Sequence, residues 1–223
     1  MIDEIDYIHC KLKAPFNAIV AGPSGCGKTT WVRSLIEHHN SVTTIATDGQ
    51  LKVVWCYGQY QNGYKNIIPN SNVSYREGLI SEDELISLKP QLLVIDDLQS
   101  ELCSSREMAD LFMKKSHHLN ISVILILQNI FAQGSQMRNI SLNAHYQCAF
   151  KNNRDSEQLL RFGRQACPRQ LPFFNDMLKD IFSTKFGYLF CDFHPTTPEQ
   201  IKFRTEILPK SIPLPTPVIY IPK

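Results

Sequence analysis

The chain has little net charge, with 23 Lys and Arg set against 21 Asp and Glu for a balance of +2 over 223 residues. No strong basic field therefore announces nucleic acid, although a locally positive groove stays open. Long apolar runs are missing too. The longest, ISVILILQNIF from Ile121, is interrupted by Gln128 and Asn129 and is too short to cross a bilayer, so no membrane partner is expected. The opening MIDEIDYIHC is acidic and lacks the basic-then-apolar layout of a secretory signal. The seven cysteines, Cys10, Cys26, Cys56, Cys103, Cys148, Cys167 and Cys191, lack zinc-site spacing, and their odd number does not suit a disulfide framework. Several lie inside apolar runs such as VVWCYG and YLFCDF, which predicts buried thiols in a reducing compartment, cytosol or nucleus. His117 and His118 are adjacent but have no companion ligands at usable spacing, and His38 and His39 read as solvated helix-end residues, so no histidine metal site is expected.

What is present is an alternation of apolar, strand-like runs with amphipathic ones. Strands are predicted over Phe16 to Ala21, Lys52 to Gly58, Gln91 to Asp96, Ile121 to Leu127, HYQCAF around Ala149, and Gly187 to Phe193. Helices are predicted over Thr29 to His39, over residues 101 to 118, in RDSEQLLRFGR and around Phe173 to Phe182. Ser81 with Glu84 three residues later reads as a capping box, opening a short helix that Pro90 closes. Buried strands separated by helices imply an α/β fold, a mostly parallel sheet with helices on both faces. There is no internal repeat, so one domain is expected over residues 1–208. Residues 209–223 carry Pro209, Pro213, Pro215, Pro217 and Pro222, which predicts an extended arm, either loose or docked on a neighbouring subunit.

The strongest chemical signal is AGPSGCGKTT, residues Ala21 to Thr30. Gly22, Gly27, Lys28 and Thr29 satisfy the phosphate-loop spacing, after an apolar strand and before a helix, which is the context the motif requires. The nucleotide-binding residues are then Gly22, Pro23, Ser24, Gly25, Cys26, Gly27, Lys28, Thr29 and Thr30. Backbone N–H groups and the helix N-terminus cradle the phosphates of ATP, Lys28 reaches the β- and γ-phosphates, and Thr29 holds Mg²⁺. In LLVIDDL, Asp96 ends a buried run and is expected to hold the same metal, as a Walker B aspartate does. Asp97 follows as the candidate base that polarises an attacking water; the plainer reading is a cap on the next loop. Gln128 ends the neighbouring strand and is expected to sense the γ-phosphate, or else to satisfy local backbone. Among the later arginines, Arg138 and Arg154 are candidates for a guanidinium delivered in trans to a neighbour's phosphate; the plainer reading of each is a solvated surface residue.

With these motifs in view, KSHHLNISVILILQNIFAQG and RNISLNAHYQCAFKNNRD resemble the genome-packaging ATPases of Maverick/Polinton elements, adintoviruses, virophages and the poxvirus group, within the FtsK–HerA division of P-loop NTPases. The resemblance runs from PFNAIVAGPSGCGKT through VVWCYGQYQ and VIDDL to GYLFCDFHPTTPEQIKFRTEILP, most of the chain. It implies a phosphate loop at Gly22 to Thr30, Walker B carboxylates at Asp96 and Asp97, and a sensor glutamine at Gln128. It further implies a homo-oligomeric ring that threads double-stranded DNA into a preformed capsid, with capsid or portal-vertex proteins as partners, at a virion assembly site in the host cytoplasm or nucleus. The chain departs from the family at Asn153, where KNPRD is common, and in the LQS loop after the aspartates. Two rivals stand beside this reading: a small-molecule kinase, because GPSGCGKT also opens guanylate-kinase-like proteins, and a scaffold that binds ATP without turnover. The paired aspartates and Gln128 weigh against the first, and Lys28, Asp96 and Asp97 together against the second.

Overall fold

The computed structural model describes residues 10–104, 110–131, 136–155, 157–209 and 216–222. Its strands are β1 (Asn17–Ala21), β2 (Leu51–Tyr57), β3 (Ser71–Glu77), β4 (Leu92–Asp96), β5 (Ser122–Leu127), β6 (Tyr146–Phe150), β7 (Tyr188–Asp192), β8 (Phe203–Thr205) and β9 (Val218–Tyr220). They form one sheet in the order β3-β2-β4-β5-β1-β6-β7-β8-β9. From β3 to β6 every pairing is parallel, and β7, β8 and β9 add on antiparallel. The mostly parallel α/β sheet expected from the sequence is therefore present.

Side chains alternate across each strand, so the central apolar runs supply two cores. Leu93 and Ile95 of β4, with Val123 and Leu125 of β5, pack on one face with Phe162 and Phe174 from the helices Glu157–Ala166 and Leu171–Ile181. Leu92, Val94, Ile124 and Ile126 pack on the other face with Trp31, Val32, Leu35 and Ile36 of α1 (Lys28–Glu37). Each such side chain taken from water contributes about 1.5–3 kcal/mol, which makes the sheet a stiff platform for whatever its edges carry.

Several boundaries differ from expectation. Strand β3 escaped notice because SNVSYRE is half polar: it is an edge strand, and Val73 and Tyr75 are only partly covered. Strand β8 was hidden by Arg204, which is fully buried yet ion-paired to Asp192 and bonded through its guanidinium to the Cys10 carbonyl, 2.7 Å away. Of the helix expected over 101 to 118, the described residues show helix at Gln99–Ser104 and a π-helical turn at Leu111–Lys115 running into Ser116–His118; residues 105–109 lie outside those described. The capping box is present, with Ser81 and Glu84 bonding reciprocally at the helix Glu82–Leu88. At the carboxyl end, Val218–Tyr220 pairs with β8 of its own chain, because the stretch between Pro217 and Pro222 leaves backbone N–H groups free to join a ladder. Pro213 and Pro215 lie outside the described residues. Among the described residues no helix is long and apolar enough to cross a membrane.

Candidate functional site

All six parallel strands end on the same edge of the sheet, and the chemistry-bearing loops leave from that edge. Between them lies a cleft of about 580 Å³, lined by residues that include Lys28, Thr29, Asp96, Asp97 and Gln128. That size suits a small-molecule ligand.

The phosphate loop leaves β1 and enters α1. Gly27 adopts φ 105°, a left-handed conformation that favours glycine, and α1 starts with no side-chain cap and no acidic residue in its first turn. Its leading N–H groups and its dipole are thus left for an anion. Ser24, Gly25, Gly27, Lys28, Thr29 and Thr30 line the cleft. Gly22, Pro23 and Cys26 do not line it, and a Cβ on Gly22 would come within 2.7 Å of Phe150 and 2.8 Å of the Cys26 sulfur. Burial raises the Cys26 thiol above its ordinary value, with Lys28 pulling the other way. The Lys28 ammonium donates to the carbonyls of Gly22 (2.6 Å) and Pro23 (2.9 Å), which keeps its charge folded over the loop.

Across the cleft, Asp96 is buried at the end of β4 and Asp97 is exposed just beyond it. Burial raises the Asp96 carboxyl above the usual range; a hydrogen bond from Tyr64 opposes this, Asp97 adds to it, and Lys28 lowers it. The Tyr64 hydroxyl donates to Asp96 Oδ2 at 2.9 Å, and burial next to Asp96 raises its own pKa well above the ordinary tyrosine value, so it stays a donor. Asp97 sits at φ 57°, a left-handed conformation that costs a non-glycine residue ~1–2 kcal/mol. The bend turns its carboxylate toward β5, where Gln128 Nε2 donates to Asp97 Oδ1 at 3.0 Å. The fit to Mg²⁺ is one of donor chemistry: a hydroxyl from Thr29 and a carboxylate from Asp96 line one cleft, and hard oxygen ligands are what that ion takes.

The structure thus brings Lys28, Thr29, Asp96, Asp97 and Gln128 together. It does not bring Arg138 or Arg154 to them. Both are exposed, Arg138 on the helix Met137–Leu142 and Arg154 in the turn after β6, where its backbone N–H is held by Asn152 Oδ1 at 3.0 Å. Neither lines the cleft.

Sequence reasoning missed residues that shape the site. Gly58, just past β2, donates its N–H to the Asp96 carbonyl at 3.0 Å, and a Cβ there would lie 2.5 Å from the Asp97 carbonyl oxygen. A glycine closing a predicted strand was the available signal. Gln61 and the aromatic side chains of Trp31, Phe150, Phe186 and Tyr188 also line the cleft. Phe186 is 60% exposed at φ 60°, which nothing in the local sequence announces.

No family model matches the sequence, and no curated protein matches it. Solved structures do. The genome packaging NTPase B204 from Sulfolobus turreted icosahedral virus 2 in complex with ATP-gammaS is similar with a TM-score of 0.52 at 12% identity, over 80% of this chain and 92% of that one. Its complex with sulfate gives 0.52 at 12% identity over 80% and 91%. B204 described as the DNA-packaging ATPase from Sulfolobus turreted icosahedral virus gives 0.51 at 12% identity over 80% and 93%. At such identities the likeness is one of architecture: the chain has the α/β fold of the P-loop NTPases, with its phosphate loop at the cleft just described.

Proposed function

We propose that the protein is a magnesium-dependent ATPase of the FtsK–HerA type, a motor that moves double-stranded DNA into a viral capsid. The observation that carries the ATPase part is the convergence of Lys28, Thr29, Asp96, Asp97 and Gln128 on one cleft. On this reading the loop amides and Lys28 hold the triphosphate, exchanging the ammonium's contacts with Gly22 and Pro23 for phosphate oxygens. Thr29 and Asp96 hold Mg²⁺, which supplies neutralisation of charge on the phosphates. Asp97 accepts a proton from the attacking water and Gln128 orients it; their mutual hydrogen bond fixes both groups before substrate arrives. Loss of the γ-phosphate then frees Gln128 and lets the segment behind it shift, a switch of order in a loop.

The DNA part is supported by the quoted strings that resemble packaging ATPases, and by a fold shared with a protein described as a genome packaging NTPase. The motor works as a ring of identical subunits at the capsid or portal vertex, in the host cytoplasm or nucleus. Arg138 and Arg154, exposed and outside their own cleft, are the candidates to reach a neighbour's phosphate.

The test is the ATPase rate with and without duplex DNA. Stimulation by duplex supports the motor. Phosphate transfer to a nucleoside monophosphate would replace it with a kinase, and binding without turnover with a scaffold. Mixing Arg138→Ala or Arg154→Ala subunits with Lys28→Ala subunits should restore turnover for whichever arginine acts in trans.

A further inference from the structure

Between β2 and β3 the chain makes a short 3₁₀ turn, Asn62–Lys65, on which Tyr64 is buried in a nest of rings. Tyr64 stacks on Tyr75 with ring centres 4.9 Å apart and meets Tyr57 at 5.2 Å and Trp55 at 5.7 Å. Such packing holds a ring in one orientation and adds roughly 0.5–1.5 kcal/mol per aromatic pair beyond burial. The turn is also tied to the phosphate-loop helix: Arg33 of α1 donates to the Tyr75 hydroxyl at 3.2 Å and to the Asn66 carbonyl at 2.9 Å. The one polar atom of the Tyr64 side chain reaches out of this nest to Asp96 Oδ2 at 2.9 Å.

We propose that Tyr64 is a positioning residue for the metal site: its hydroxyl occupies Asp96 Oδ2 and so turns Oδ1 toward the cleft as the oxygen that serves Mg²⁺. This inference rests on the ATPase reading above and deepens it. A carboxylate at a strand end can swing about χ2, and a donor fixed on one oxygen removes that freedom. The nest and Arg33 fix the donor, so Asp96 is set relative to Lys28 and Thr29 through α1 itself. No sequence motif marks the residue, because Tyr64 lies 32 positions before Asp96 and reaches it only through the β2–β4 pairing.

Tyr64→Phe tests this, because it removes one oxygen and keeps the ring. Mn²⁺ binding to the protein with ATPγS is read by electron paramagnetic resonance, and ATPγS binding in EDTA by calorimetry, each beside a melting curve. The expected result is about a tenfold weaker Mn²⁺ affinity, the lower end for loss of an outer-shell partner, with metal-free nucleotide affinity unchanged within twofold. In turnover, kcat falls more than KM changes. Tyr60→Phe, on the exposed side of the same nest, should leave both affinities where they were. An unchanged Mn²⁺ affinity in Tyr64→Phe overturns the positioning role while leaving the ATPase reading standing. Equal losses of both affinities together with a lower melting temperature overturn it in favour of simple packing. A wild-type protein that binds no ATPγS with or without Mn²⁺ overturns the ATPase reading and this inference with it.

Discussion

Both edges of the sheet carry polar groups, and they use them differently. At the carboxyl edge, Lys28, Asp96, Asp97 and Gln128 line an open cleft and keep bonding capacity in reserve. At the amino edge the polar groups are spent on one another. His145 Nδ1 accepts the Asn17 N–H at 3.1 Å, the Thr196 N–H meets His194 Nδ1 at 3.3 Å, and the rings of His117 and His194 each lie 5.2 Å from that of His145. Asp192 there is ion-paired to Arg204. A ring nitrogen that accepts a backbone N–H has its lone pair engaged, so Nδ1 of His145 and Nδ1 of His194 are already spent within the protein. One edge is built to receive a ligand; the other seals the ends of the strands.

Substitutions at the open edge should break function before stability, and those at the sealed edge the reverse. The largest effect is expected for Lys28→Ala and Asp97→Asn. Lys28→Ala should lower turnover by at least ~10²-fold through loss of charge at the transferring phosphate. Asp97→Asn should keep ATP affinity and lose about 10²–10⁴ in kcat, the usual worth of a general base. Near-normal turnover in single-turnover assays would remove Asp97 from that role. Next is Gly58→Ala, whose new Cβ meets the Asp97 carbonyl oxygen at 2.5 Å and cannot be relieved by a flexible side chain. It should cost about 1–3 kcal/mol in urea unfolding and displace the aspartates enough to lower turnover as well.

At the sealed edge the lever is pH. Burial, with His194 and His117 nearby, lowers the pKa of His145 from 6.5 to about 4. A depressed histidine pKa favours the neutral ring in the folded state, so this contribution is whole above pH 6.5 and is lost as pH falls toward 4. Urea midpoints should drop across that window, and His145→Asn should flatten the drop; an unchanged slope would show that the ring is not protected. Back at the open edge, Asp96→Asn should remove a metal oxygen and lower turnover, and its effect on stability is the smallest expected. Burial raises the Asp96 carboxyl, so its ionised form opposes folding increasingly as pH climbs through the raised value. Removing the charge should raise the melting temperature at pH 7 by about 2–4 °C, the shift that ~1 kcal/mol gives in a chain of this size. A fall instead would mean that the Tyr64 bond outweighs the burial.

The central strands were legible because a strand covered on both faces must be apolar throughout, and LLVID and SVILIL are. The phosphate loop was legible because local backbone demands at Gly27 and the helix that follows are written within a few residues. Edge strand β3 and the Arg204 strand β8 were not, since one is half solvated and the other hides a charge whose partner, Asp192, belongs to a different strand. In the cleft, Lys28, Asp96, Asp97 and Gln128 could be named in advance and Gln61 could not; nor could Tyr64, which reaches Asp96 from outside the cleft lining.

By itself the sequence determined the elements whose physics is short-ranged: apolar runs, a glycine loop, a capping box at Ser81. Only the tertiary structure decided which groups meet. Parallel pairing sets β4 beside β5 and so puts Gln128 against Asp97, and the turn between β2 and β3 carries Tyr64 to Asp96. Hydrogen bonds between residues about thirty positions apart follow from strand order and register, and those are settled by how two apolar faces of one sheet are covered together.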